Sequence, residues 1–143
     1  MTVRSILSAK GSDVTTIDPN TNVAAAARLL AERKIGALVV TGADRRIVGI
    51  LSERDIVNVL AKGGAAALDR PLTEVMTRKV TTCSPADTIS SIMERMTAGK
   101  FRHVPVLEQG RLAGIVSIGD VVKHRLQEME TEQAALRDYI QTA

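Results

Sequence analysis

Gly49-Ile50-Leu51-Ser52-Glu53-Arg54-Asp55 is the stretch that decides the fold, because it returns as Gly114-Ile115-Val116-Ser117-Ile118-Gly119-Asp120. In each copy a short apolar run rich in branched residues predicts a buried strand, and a Ser followed three residues later by an acid predicts a helix start. Each copy is therefore a strand that leads directly into a helix. Such a junction places unpaired helix N–H groups, a hydroxyl and a carboxylate side by side, which suits a ligand with an anion and hydroxyls.

The motif is part of a longer internal repeat. Adding 66 takes Val14-Thr15-Thr16 onto Val80-Thr81-Thr82, and beyond the hairpin loop the offset falls to 65. The first copy predicts a strand over 14–17, a helix over 22–33 capped by Thr21, strands over 35–41 and 46–51, and a helix over 52–62. A lead-in helix is expected over 2–8, and a linker over 63–79 with one helical turn at 72–76.

The predicted fold class is α+β, with two pseudo-twofold-related β-α-β-β-α repeats packed through their sheets. A three-stranded sheet of this size cannot bury both faces alone, so the copies are expected to cover each other. The predicted divisions are 1–65 for the first repeat with its lead-in helix, 66–124 for the linker and second repeat, and 125–143 for a C-terminal helical extension.

Composition narrows the class of protein. The chain has 143 residues, 45% hydrophobic but only 1% aromatic, and its net charge of +3 is spread over interspersed acids and bases. Few rings and no Lys/Arg block disfavour nucleic-acid binding. The single cysteine excludes an internal disulfide, and with no apolar leader or membrane-spanning run the cytoplasm is the expected location.

The double motif, together with Arg102-His103-Val104-Pro105-Val106 in the second copy, resembles a pair of cystathionine-β-synthase (CBS) domains, known as a Bateman module. The resemblance covers residues 2–124. It implies a regulatory sensor that binds AMP or another adenine nucleotide (ADP, ATP or NAD) in two clefts between the repeats and signals to a separate effector protein. The first copy has Gly36-Ala37-Leu38-Val39-Val40 at the position of the basic pair, so the two clefts are expected to differ in affinity.

The resemblance also implies roles for individual residues. In the family the acid that ends the motif holds the ribose hydroxyls, the short first strand meets the base, and basic side chains meet the phosphates. The primary site then takes Asp55 for the ribose, Ser52 for the ribose or a phosphate, Thr81, Thr82 and Cys83 for the base, and Arg54, Arg102 and His103 for the phosphates. The weaker site takes Ser117, Gly119 and Asp120, facing Thr15, Thr16, Ile17, Gly36 and Ala37, with Lys100 or His103 as a cation from across the pseudo-twofold.

Each of these residues also has an ordinary structural explanation. Asp55 and Asp120 stand where a capping box needs an acid, the threonines are common strand formers, and Cys83 replaces Ile17 as a small core residue. His124 is expected to be solvated. The alternative hypothesis is a degenerate pair that mediates protein contacts without nucleotide. No nucleophile–base pair or metal-ligand spacing is present in the sequence, so neither an enzyme nor a metal site is expected.

The C-terminal segment has its own pattern. Apolar residues recur in steps of four and three, as in a coiled-coil seam, if Gln133 is counted. The seam consists of Val122, Leu126, Met129, Gln133, Leu136 and Ile140. This pattern predicts a homodimer to which the segment contributes, and the alternative is that the stripe lies along its own domain.

Overall fold

The computed structural model describes residues 1–142, which divide into two compact units. Unit 1 holds residues 1–12, 82–108 and the described chain from Gly114 onward, and unit 2 holds residues 13–81 and 109–113. The elements in chain order are α1 (Val3–Lys10), β1 (Thr16–Ile17), α2 (Val23–Arg33), β2 (Ala37–Thr41), β3 (Ile47–Ser52), α3 (Glu53–Gly63), α4 (Ile89–Gly99), β4 (His103–Glu108), β5 (Arg111–Ser117) and α5 (Ile118–Thr142). The α+β class, with two repeat-like halves and a long C-terminal helix, is confirmed.

Unit 2 is built on a three-stranded sheet in the order β1-β2-β3. β1 runs parallel to β2, and β2 runs antiparallel to β3 with Ala37 opposite Ser52. The branched side chains of β2 and β3 pack against the apolar faces of α2 and α3, where Val23, Leu38 and Leu51 are fully buried. Full burial of such a side chain stabilises the fold by about 1.5–3 kcal/mol, and this packing fixes the position of the β3–α3 junction.

Unit 1 repeats the design with a smaller sheet. β4 and β5 form a two-stranded sheet. The strand expected around Val80 to Cys83 is reduced to one parallel bridge between Cys83 and Val106. The first strand is also shorter than expected, since β1 covers only Thr16–Ile17.

The segment that precedes each copy packs on the other copy: α1 packs on β5, and the linker over 63–79 packs on β3. In unit 1, α1 lies against β5, and a Cβ added to Gly114 would be 2.6 Å from a methyl carbon of Leu7. In unit 2, the linker lies against β3, and a Cβ added to Gly49 would be 2.6 Å from the sulfur of Met76. In the structure α1 thus packs within unit 1, and the predicted grouping of α1 with the first repeat over 1–65 stays a prediction. The boundary between the repeats near residue 65 stays a prediction.

Several local predictions need correction. The N-cap of α2 is Asn22 rather than Thr21, because the Asn22 side chain accepts the Ala25 N–H at 2.9 Å. The linker is more ordered than expected, with 3₁₀ turns at Gly64–Asp69 and Leu72–Glu74. The predicted extension from residue 125 continues the helix that begins at Ile118, and α5 runs to Thr142 without a break; Ala143 lies outside the described residues. Among the helices of residues 1–142, none is both long and apolar enough to span a bilayer.

Candidate functional site

The two copies of the motif form the same capping box at the start of a helix. Asp55 Oδ2 accepts the Ser52 N–H at 2.9 Å, and Ser52 Oγ accepts the Asp55 N–H at 3.2 Å. The corresponding distances between Ser117 and Asp120 are 2.9 and 3.1 Å. Both carboxylates are thus held in the first helical turn, where the helix dipole favours negative charge.

In both units the first N–H of the helix donates to the carbonyl of the residue that precedes a neighbouring strand. The Glu53 N–H donates to the Gly36 carbonyl at 3.0 Å in unit 2, and the Ile118 N–H donates to the Arg102 carbonyl at 2.8 Å in unit 1. Within a unit, Gly36 therefore neighbours the Ser52 motif and Arg102 neighbours the Ser117 motif. The predicted cross-repeat grouping of Asp55 with Arg102 and His103 stays a prediction.

The site at Asp120 contains a cation that the sequence analysis did not identify. The Lys10 ammonium, from the end of α1, lies 2.8 Å from Asp120 Oδ2 and donates to the Ile115 carbonyl at 2.9 Å. Burial on its own would raise the pKa of Asp120, but the hydrogen bonds from Lys10 and Ser117 outweigh it and hold the pKa below its ordinary value. Asp120 is therefore an anion paired with a lysine.

Lys10 was missed because the offset of 66 does not extend to the lead-in segments. A different offset, 69, takes Val3, Leu7 and Lys10 onto Leu72, Met76 and Lys79. The structure supports this alignment, because the Val3 N–H donates to the Asp87 carbonyl and the Leu72 N–H donates to the Thr21 carbonyl. Lys79 is thus the counterpart of Lys10 in unit 2.

The residues expected near the base occupy three environments. Just before β1 the Thr15 carbonyl accepts the Val39 N–H at 3.3 Å, and in β1 Thr16 and Ile17 pair with Val39 and Val40, so the backbone of this segment is part of the sheet. Thr81 is exposed, and Thr82 is partly buried.

Arg95 is a further residue that the sequence analysis missed. Its guanidinium donates to the Thr82 carbonyl and to Asp87 Oδ2, each at 3.4 Å. Asp87 also accepts the Ser84 N–H at 2.9 Å, so Arg95 and Asp87 together hold the backbone around Thr82 and Ser84.

Cys83 is a core residue in this structure. Its side chain is buried, its N–H donates to the Pro105 carbonyl, and its carbonyl accepts the Leu107 N–H. Burial raises the pKa of the thiol to about 11, a rise to which Asp87 adds and which Arg95 opposes. The backbone of Cys83 is therefore committed to β4, and Thr81 and Thr82 are the better candidates for contact with a base.

We expect the Cys83 thiol to be unreactive in the native protein. With a pKa of about 11, roughly one thiol in a thousand is ionised at pH 8, and burial blocks access as well. A thiol–disulfide exchange reagent at pH 8 should react at least about a hundredfold more slowly with the native chain than with the same chain in concentrated urea. Equal rates would contradict the placement of Cys83 in the core.

The remaining candidates lie at the edges of the two motifs. Arg54 and Gly119 are exposed in the first turns of α3 and α5, and Arg102 is exposed just before β4. His103 is partly buried at the first residue of β4, and Ala37 is buried at the first residue of β2. Lys100 ends α4 in the left-handed conformation (φ 57°), as Lys34 does for α2 (φ 55°), so its backbone has a capping role.

His124 corrects one expectation. Its ring is buried rather than solvated, and its Nδ1 donates to the Asp120 carbonyl at 3.0 Å. The ring packs one turn after the acid and supports the start of α5. Among residues 1–142, no three His, Cys, Asp or Glu side chains are grouped so as to hold a metal ion.

The family of the chain follows from a match to both repeats. The family model described as CBS domain matches residues 3–62 and again residues 72–127. The chain belongs to the CBS domain family. CBS pairs are in general regulatory modules rather than enzymes, and the predicted tandem pair is confirmed.

Known proteins resemble this CBS pair over most of its length. It is 34% identical over 108 residues to an uncharacterized 17.7 kDa protein of Acidianus ambivalens. The aligned residues make up 75% of this chain and 64% of that protein. The structure of a CBS-domain containing protein from Agrobacterium tumefaciens is similar with a TM-score of 0.85 and 50% identity, covering 87% of this chain and 99% of the other.

Two further similar structures were determined with bound ligands or metal ions. The CBS domain pair of protein MJ0100, in complex with 5'-methylthioadenosine and S-adenosyl-L-methionine, has a TM-score of 0.79 and 26% identity, covering 90% of this chain and 98% of that one. Hypoxic Response Protein I with two coordinated zinc ions has a TM-score of 0.73 and 30% identity, covering 87% and 98%.

Proposed function

We propose that this CBS pair is a regulatory module that binds an adenine nucleotide and signals to a separate effector chain by a ligand-dependent conformational change. The observation that carries the proposal is the pair of capping boxes, each of which fixes a carboxylate in the first turn of a helix. The adenosine ligands of the related MJ0100 pair support the ligand class. AMP, ADP, ATP and NAD share the ribose and base that such a site recognises.

The carboxylates have the capacity to hold a ribose as well as to cap their helices. A carboxylate offers about four lone-pair positions on two oxygens. One position of Asp55 Oδ2 is used by Ser52, and Asp120 Oδ2 accepts from both Ser117 and Lys10. The positions that remain can accept the two hydroxyls of a ribose, which a single amide oxygen could not do as well.

Lys10 supplies the charge that a phosphate needs at the Asp120 motif. Its ammonium has three donors, of which two are used by Asp120 and Ile115. Exposed Gly119 leaves space beside the first-turn N–H groups. A nucleotide whose ribose takes Asp120 would draw Lys10 towards its phosphate. By the offset of 69, Lys79 would have the same role at Asp55.

The same lysine offers a route from binding to signal. Lys10 is the last residue of α1, so its ion pair with Asp120 joins α1 to the start of α5. A ligand that competes for Asp120 would loosen this link and change the position of α1. The base contacts of Thr15, Thr16, Thr81 and Thr82, and the phosphate contacts of Arg54, Lys100, Arg102 and His103, remain part of the proposal.

A second candidate function is a CBS pair that mediates protein contacts without nucleotide. One observation favours it, because both acids already cap helices and therefore have a structural role without any ligand. On this alternative, Asp55 and Asp120 contribute to stability alone, and adenine nucleotides leave the protein unchanged.

A thermal-shift panel separates the two functions. We expect at least one of AMP, ADP, ATP and NAD to raise the melting temperature by several degrees, because a ligand at about 100 times its Kd adds about 2.7 kcal/mol to the unfolding free energy. GMP and inorganic phosphate are the controls. No shift of the melting temperature with any adenine ligand would favour the interaction module. A shift with inorganic phosphate as large as that with the nucleotides would mean that the site recognises only an anion.

A further inference from the structure

Helix α5 carries two stripes of side chains that differ in what covers them. Val121 and His124 are buried, and α5 packs on both α4 and α1 in unit 1. The apolar side chains of the seam point elsewhere, and within unit 1 they are exposed. Their exposed fractions are 42% for Val122, 54% for Leu126, 41% for Met129, 59% for Leu136 and 65% for Ile140. The seam does not lie along its own unit.

We propose that this seam pairs with the seam of a second copy of the chain as a parallel, two-stranded coiled coil. In heptad terms Val122, Met129 and Leu136 take position d, and Leu126, Gln133 and Ile140 take position a. A polar residue at one a position favours a defined register and two strands. The proposal concerns assembly and is independent of nucleotide binding.

Charged residues beside the seam select the second copy and the parallel direction. Arg125 and Glu132 occupy position g, and Lys123, Glu130 and Arg137 occupy position e. In a parallel pair, position g of one helix faces position e of the next heptad in the other. Arg125 then faces Glu130, and Glu132 faces Arg137, so both contacts join opposite charges and each occurs twice.

In an antiparallel pair of the same helices, like charges face each other instead. There position e faces e and position g faces g, so with all core layers matched Glu130 and Glu132 approach their own copies while Lys123 approaches Arg137. Like charges in such positions disfavour a pairing. The charge pattern of α5 therefore fits a parallel partner with the same sequence.

The length of α5 makes the pairing feasible although the seam is short. A free helix with fewer than three heptads would be marginal in water, because helix nucleation is costly. In this chain the first turns of α5 are already formed by the Ser117–Asp120 capping box and by the burial of Val121 and His124. The seam thus extends from a preformed helix, and much of the ordering cost is already met.

Disulfide trapping tests the direction of the pair. Because Cys83 is buried, Ile140→Cys introduces a single accessible thiol at an a position. In a parallel pair the two introduced thiols are adjacent and should form a covalent dimer under mild oxidation. In the antiparallel pair with matched layers, residue 140 faces residue 122, so the two thiols are about 27 Å apart at 1.5 Å per residue. Absence of a disulfide dimer would overturn the parallel arrangement. Gln141→Cys, at position b, is the matched control and should cross-link much less.

Sedimentation velocity tests whether the seam contributes to assembly. Leu136→Asp places a charge at a d position that is exposed in the monomer, so the fold should survive, and circular dichroism can check it. We expect its dimer dissociation constant to rise by at least about tenfold, and truncation after Gln127 to have the same effect. Ala134→Asp, outside the seam on the same helix, should leave it within about threefold. Dissociation constants that are equal in the parent, Leu136→Asp and the truncated chain would overturn the proposal.

Discussion

Asp120→Asn should weaken AMP binding at the Asp120 motif by about tenfold to a hundredfold. A charge-assisted hydrogen bond is worth about 1.5–3 kcal/mol, and each 1.4 kcal/mol is about tenfold in affinity. Asparagine keeps an oxygen for the Ser117 N–H, which Asp120 now accepts at 2.9 Å. The capping box should therefore persist while the anion is lost. Isothermal titration with AMP, together with a melting curve of each variant, measures both effects.

Two further variants sharpen this experiment. Lys10→Met should weaken AMP binding but leave adenosine binding nearly unchanged, because the lysine is expected to meet the phosphate. Asp138→Asn, at an exposed position of the same helix, is the matched control and should bind like the parent. If Asp120→Asn binds AMP as the parent does, the ribose is not held by Asp120.

Gly49→Ala should destabilise the protein by about 1–3 kcal/mol, the usual cost of overpacking. The added Cβ would be 2.6 Å from the Met76 sulfur and 3.0 Å from the Thr77 carbonyl oxygen. The side chain can move, but the Thr77 backbone is held by two hydrogen bonds to Ile50, each 2.9 Å long. The urea midpoint should fall with an unchanged m-value.

Gly114→Ala is the matched control for that variant. The three atoms nearest to a Cβ at this position all belong to the Leu7 side chain, whose nearest carbon is 2.6 Å away. A flexible side chain can adjust more easily than a hydrogen-bonded backbone, so we expect a smaller loss of stability. If Gly114→Ala costs as much as Gly49→Ala, the Thr77 backbone is not what requires the glycine at position 49.

The sequence was sufficient to predict the features that are local or repeated. The Ser52–Asp55 and Ser117–Asp120 capping boxes could be predicted because a capping box depends on residues three positions apart. The α+β class followed from two copies of one element order. The apolar seam of α5 could also be predicted, because its spacing depends only on helical periodicity.

Features that depend on long-range packing could not be predicted in this way. Lys10 is 110 residues from Asp120 in the chain, and the repeat offset of 66 gave no reason to pair them. His124 looked solvated beside Lys123, but tertiary packing on α5 buries it. The packing of Leu7 in the lead-in helix α1 on Gly114 is a further contact that chain order did not predict.

Titration of the parent chain and of Asp55→Asn/Asp120→Asn with AMP tests the central claim most directly. Both chains keep their helix caps, so any difference reports on the two carboxylates as ligand contacts. We expect saturable AMP binding to the parent and at least about a hundredfold weaker binding to the double variant. Saturable binding of equal strength to both chains, or none to the parent at millimolar AMP, would contradict the account.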